Sequence, residues 1–274
     1  MTTDVQPPRS RRRTWLIAAV VAWGVLITAA GVYGARNGRP TVAEQTTIVD
    51  AVPTLDRVAA EVAAAGIAAG AVATISGYVR TDRTCRIAPG RAGERWERTA
   101  MLYTVAGKEG ALLDAVAAAT PKAWKLTVRR SASGPHRISG DAGSYVRVVG
   151  AVSTSGQIRV SAQTGCRERG GALPQTPAGG AARRAPVEAL LAALGVPATD
   201  WREFTAACPR GGAVWTVEAT ARRQDQTPLS TVLRDTPGAI LAMPDVFAAR
   251  NGQAGVVARS GIDAVVVSST TPCQ

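Results

Sequence analysis

Aromatic side chains make up only 4% of this sequence, and just two of its 274 residues are phenylalanine, so a large ring-lined pocket is not expected. The single histidine, His136, leaves one imidazole as a candidate general base. Lysine occurs only at 108, 122 and 125, which leaves 29 (32 − 3) of the basic residues as arginine. Four cysteines are present, but no CxxC pair and no metal-like spacing joins them. The chain contains no HExxH, GxSxG, SxxK or GxxxxGK[ST], and no GxGxxG follows a strand pattern. These absences remove the familiar hydrolase, nucleotide and metal signatures, and no cofactor is expected.

What is present begins at the N-terminus. Arg9, Arg11, Arg12 and Arg13 precede an uncharged apolar run over residues 15–33, bracketed by Trp15 and Tyr33. At about 1.5 Å per residue the run spans roughly 28 Å, the thickness of the hydrocarbon layer of a bilayer. A cleaved signal peptide has a shorter apolar core, of about 7–15 residues. The run therefore reads as a transmembrane signal anchor, with residues 1–14 as a basic cytoplasmic tail and everything beyond it outside the cell membrane. Residues 34–46 read as a polar spacer.

Hydrophobic residues form 46% of the chain, mostly alanine and valine, which favours small and closely packed elements. Such an Ala/Val/Gly/Arg vocabulary suits a GC-rich genome of the actinobacterial kind. Beyond the anchor, 28 basic residues (32 − 4) face 19 acidic ones (20 − 1), a net charge of +9. This excess fits a domain that holds an anionic wall polymer or lipid, or one that uses arginine to keep an Ala/Val surface soluble. No basic stripe interleaved with aromatics indicates nucleic acid.

Two stretches repeat one order of signals. Residues 47–167 and 186–274 each open with a proline-led helix pattern, at 53–66 and 186–195, that stops at glycine. Each continues with a strand leading to a cysteine (71–80 then Cys85; 201–206 then Cys208) and a strand with a tryptophan near its start (Trp96; Trp215). A second helix follows, at 108–119 and 228–234, the latter with Thr227 as its candidate N-cap. Three strands then close each stretch, at 124–128, 145–149 and 158–162, and at 239–243, 254–258 and 264–267. The expected fold is α+β: an N-terminal transmembrane helix, then two tandem, similar units of order helix, strand, strand, helix, three strands. Each unit should have an antiparallel sheet and one disulfide. Residues 168–185, rich in Gly, Pro and Arg, read as the linker between them.

Outside a membrane cysteines oxidise, so disulfides are favoured over zinc or redox chemistry. Of three possible pairings, the repeated order selects Cys85–Cys166 and Cys208–Cys273. Their separations of 81 and 65 residues correspond to roughly 4–5 kcal/mol on a chain-entropy argument.

A serine–histidine–acid arrangement can be sketched around His136 with Ser131, Ser133, Ser139, Asp141 and Ser144, but a Gly/Ser/Pro loop is a poor platform for a triad. The ectodomain carboxylates are scattered, and no pair stands out as glycosidase-like. Trp96 and Trp215 read as equivalent core anchors, whereas Trp124 and Trp201 begin strands. No catalytic residue is expected. The sequence reads as a membrane-anchored extracytoplasmic module that binds an envelope protein, an anionic wall polymer or lipid. The alternatives are an envelope hydrolase with an unidentified carboxylate pair, and a transmembrane signalling component.

Overall fold

The computed structural model describes residues 10–37, 46–88, 91–131, 134–176, 180–209, 211–252 and 254–273. The expected tail lies mostly outside these residues, as does most of the spacer. The chain divides into two compact units, residues 1–44 and 45–274.

The first unit holds helix α1 (Ser10–Asn37). Its stretch Thr14–Tyr33 has mean hydropathy 2.2 and is long and apolar enough to cross a membrane. The hydroxyl of Thr28 donates to the carbonyl of Gly24 at 2.7 Å, so the polar group is satisfied within the helix.

The second unit begins with α2 (Ile48–Ala68). Thr47 caps it reciprocally with Asp50: the Asp50 N–H donates to the Thr47 hydroxyl at 3.3 Å, and the Thr47 N–H to the Asp50 carboxylate at 3.1 Å. The N–H groups of Ile48 and Val49 donate to the carbonyls of Glu168 and Arg169, so residues read as linker complete the first turn. Pro53 is therefore the sixth residue of its helix, not the first, and the capping box at Thr47 starts the helix five residues earlier, at Ile48.

The first sheet runs β1 (Val72–Ile75), β5 (Arg95–Tyr103), β9 (Gln157–Thr164), β8 (Val146–Thr154), β7 (Arg137–Asp141), β6 (Thr127–Arg129), all antiparallel. Strand β2 (Val79–Asp82) also pairs with β5, and a small hairpin, β3 (Arg86–Ala88) and β4 (Arg91–Ala92), follows it. Helix α3 (Glu109–Ala119) joins β5 to β6. The strand expected over 71–80 is split between β1 and β2, and at the break the ring of Phe204 lies against Gly77, where an added Cβ would sit 2.9 Å from the ring.

The second sheet runs β10 (Asp200–Ala207), β11 (Ala213–Arg222), β15 (Ala264–Thr271), β14 (Ala254–Ser260), β13 (Val246–Asn251), β12 (Ala239–Ala242). Helix α4 (Ala181–Ala193) precedes it and covers one face. Its Pro186 is again the sixth residue, so this helix also starts five residues before the expected boundary. The one-turn α5 (Leu229–Val232) has Pro228, not Thr227, at its N-cap. The Thr227 N–H instead donates to Asp225 at 2.8 Å.

Four strands, not three, follow the second helix of each stretch. The strands missing from the expectation are β7 and β13. In β7 only Ile138 is buried and Ser139-Gly140-Asp141 mimic a turn. In β13, Val246, Phe247, Ala248 and Ala249 are all buried, so no period of two survives.

The two sheets meet within this unit. Val72 and Tyr103 of the first pack against Leu241, Val246, Ala248 and Val257 of the second. Gly255 admits Val72 so closely that an added Cβ would lie 2.7 Å from its methyl group. Helix α2 also touches β10 and β11, and its run of alanines allows approach from both sheets. The disulfides are Cys85–Cys166 and Cys208–Cys273, each with a Cα separation of 5.9 Å. Cys166 and Cys273 each lie two residues past the last strand of their sheet, β9 and β15.

Candidate functional site

Strand alternation divides the first sheet into two unlike faces. Ile138, Val146, Val148, Ile158, Val160 and Ala162 turn toward α2 and α3 and form the core. Their neighbours point the other way, and the registers arrange them in rows. One row is Arg129, Arg137, Ala151, Arg159 and Met101. The next is Thr127, Ser139, Val149, Ser161 and Thr99. A third is Asp141, Arg147, Gln163 and Glu97. The face is concave, enclosing about 630 Å³, with Arg129, Arg137, Arg147 and Arg159 around a floor that includes Ser139, Val149 and Ser161.

Glu97 is 7% exposed on this face, and its carboxylate is fully used. It accepts from Arg159 at 2.6 Å and from Gln163 at 3.2 Å. Ser161 and Thr99, both buried, bond hydroxyl to hydroxyl at 2.8 Å. Among the described residues Arg129, Arg137 and Arg147 have no ion-pair partner. Asp141 is opposite Arg147 in register, but its carboxylate accepts the Gly143 N–H at 2.8 Å. Four cations thus surround one neutralised carboxylate, which makes the basin suited to anions and poor in groups that make or break covalent bonds.

The structure disperses the other candidates. His136 sits before β7 with its ring against Gly110, where an added Cβ would be 3.1 Å from Cδ2. Its Nδ1 is buried without a hydrogen-bond partner. Beside it, burial pushes the Glu109 carboxyl up, but the N–H groups of Gly156 and Gly107 and the nearby His136 pull it further, below the usual carboxylate range. Ser139 is in the basin and Asp141 at the far end of β7 from His136. Ser144 belongs to a turn and lends its carbonyl to Arg167. Ser131 is exposed, and Ser133 lies outside the described residues. Among the described residues no triad is assembled, and no group of three or more metal-binding side chains occurs.

The tryptophans also differ from expectation. Trp96 and Trp215 are half-buried, not core anchors, because arginines cover them instead of apolar side chains. Arg80 and Arg169 stand 5.9 and 5.8 Å from the Trp96 ring centroid, and Arg183 is 3.8 Å from that of Trp215. The Trp96 indole donates to Glu94 at 2.8 Å. Burial pushes Glu94 up, but Arg169, the indole and Arg80 together hold it down, to about 2. Trp201 lies under Arg184 at 5.0 Å. Trp124 does not begin a strand; it is buried in a one-turn 3-10 helix, Lys122–Trp124.

The arginine basin escaped the sequence reading because β7 did. Arg147 and Arg159 have outward parity on the strands expected there, but Arg137 fell in a supposed loop.

No protein-family model matches the chain, and no curated protein matches it. Among solved structures it is similar to a DUF4853 family protein from Actinomyces odontolyticus, at 15% identity, over 65% of this chain and 96% of that one, with a TM-score of 0.35.

Proposed function

We propose that this chain is a single-pass membrane protein whose disulfide-bonded domain lies outside the cell membrane as a non-catalytic binding module. The basic cluster before α1 supports a cytoplasmic N-terminus, and the two bridges support an oxidising location for the domain. The domain itself is a tandem duplication. Its two sheets share a strand order once β2 to β4 are set aside, and a proline at the sixth helical residue and a bridge cysteine after the last strand recur in both halves.

One observation carries the binding reading. The second sheet buries the face opposite α4 against the first half, through Val246, Ala248 and Val257. The corresponding face of the first sheet is covered at its β1–β5 end, through Val72 and Tyr103, and over β6 to β9 it presents the arginine basin. Duplication thus supplies one sheet for the seam and leaves the other free to dock an anionic partner of the envelope.

The test is retention of envelope material by the full chain held in zwitterionic nanodiscs. Wild-type protein should retain an anionic fraction at low salt and release it along a rising salt gradient as the charge contacts are screened. A protein carrying Arg137→Gln and Arg159→Gln should release it early. Identical elution from the two proteins contradicts the proposal.

A further inference from the structure

We infer that the arginine basin binds a phosphodiester chain, a polymer of phosphates linked by hydroxyl-bearing units, laid across β6 to β9. This rests on the reading of that face as the binding surface and names its ligand.

The register supplies the first argument. Arg129 is directly opposite Arg137, and Arg159 follows in the same row with only Ala151 between. Neighbouring strands are about 4.8 Å apart, so the row from β6 to β9 extends over roughly 14 Å. Like charges directly opposite one another destabilise a sheet. Neither Arg129 nor Arg137 has an ion-pair partner among the described residues, and an anion between them converts the repulsion into two attractions.

Side-chain chemistry narrows the anion. All four cations are arginine, whose planar fork matches the oxygens of a phosphate in pairs. The adjacent row offers the half-buried hydroxyl of Ser139, a neutral partner for the hydroxyls of a linking unit. The lining contains no aromatic ring, so nucleobases find no stacking platform. Val149 and Ala151 add little apolar surface between the arginines for the side chains of a peptide. A row of this length accommodates successive phosphates of one chain, whereas a lipid surface presents each headgroup singly to a concave face.

The experiment uses the full chain in phosphatidylcholine nanodiscs and a fluorescent oligomer of about ten glycerol-phosphate units, read by anisotropy. The comparison ligands are an oligoglutamate of equal charge and phosphatidylglycerol vesicles. The basin variant is Arg129→Gln with Arg137→Gln; the control is Arg202→Gln with Arg234→Gln, two exposed arginines outside the basin. Wild type and control should bind the oligomer within about twofold of each other, and the basin variant should bind about tenfold more weakly or worse, with a shallower dependence on salt. Both comparison ligands should bind wild type at least about tenfold more weakly than the oligomer. Should oligoglutamate or the vesicles bind as well as the oligomer and still depend on Arg129 and Arg137, the phosphodiester assignment fails while the binding face stands. Equal losses in basin and control variants, or no binding of any ligand, overturn both.

Discussion

The guanidinium of Arg98, on the first sheet, donates to the main-chain carbonyl of Thr205, on the second, at 2.6 Å. Arg98 is 1% exposed. It also donates to the Ser76 carbonyl at 3.1 Å and pairs with Asp56 of α2, which accepts the Tyr78 hydroxyl at 2.6 Å. A buried charge is tolerated only when paired and hydrogen-bonded, so this one cation binds helix, first sheet and second sheet into one body.

Replacing Asp56→Ala leaves that guanidinium without its anion. Removing one partner of a buried pair costs about 3–5 kcal/mol, and the lower end is expected because two carbonyls still accept from Arg98. Unfolding of the full chain followed by tryptophan fluorescence checks this. A cost under about 0.5 kcal/mol, typical of an exposed pair, would show that Arg98 does not hold the seam.

Close approach across the same seam makes Gly255→Ala a second probe. The new methyl meets Val72, which is 1% exposed and has little room to move. Overpacking of this kind costs about 1–3 kcal/mol. The Gly24→Ala substitution, on an open face of α1, should leave the domain's unfolding midpoint unchanged, and equal midpoints for all three proteins would contradict the seam.

Acid should act through Glu94. Its carboxyl is depressed in the folded protein, from the ordinary 4.5 to about 2. The stability it contributes is present above pH 4.5 and is lost as pH falls from 4.5 toward 2. Glu94→Gln should therefore be less stable than wild type at neutral pH and converge with it near pH 2. Fluorescence of Trp96, whose indole donates to this carboxylate, is the natural reporter. Parallel curves for the two proteins would remove Glu94 from the acid response.

How much of this was legible in the sequence follows from where each signal originates. The disulfides follow from cysteine order, a property the chain states directly. The span in α1 shows because nothing charged interrupts it. The starts of α2 and α4 were obscured because proline at the first helical position is a strong preference, yet in α2 a capping box of Thr47 and Asp50 closes a turn before Pro53, and α4 begins behind Gly180, which offers no side-chain cap. Strand β13 lost its alternation because its outer face is covered by the first half, a tertiary fact no local pattern records. Strand β7 lost its signal because its second inward position is Gly140, where Leu126 and the Trp124 carbonyl leave no room for a side chain, so Ile138 is its one apolar mark. The candidate site was hidden because Arg129, Arg137 and Arg159 become neighbours only through pairing among β6, β7, β8 and β9.

The central claim is that this basin lies outside the cell and is occupied there. All four native cysteines are in disulfides, so an introduced thiol is the sole target for a membrane-impermeant maleimide. The measurement is labelling of Ser139→Cys, in the basin, against Thr231→Cys, an exposed site on the second half. Both thiols should react in purified protein. On intact cells Thr231→Cys should react and Ser139→Cys should be protected. Labelling of both on intact cells would show an unoccupied face, and labelling of neither until lysis would place the domain inside.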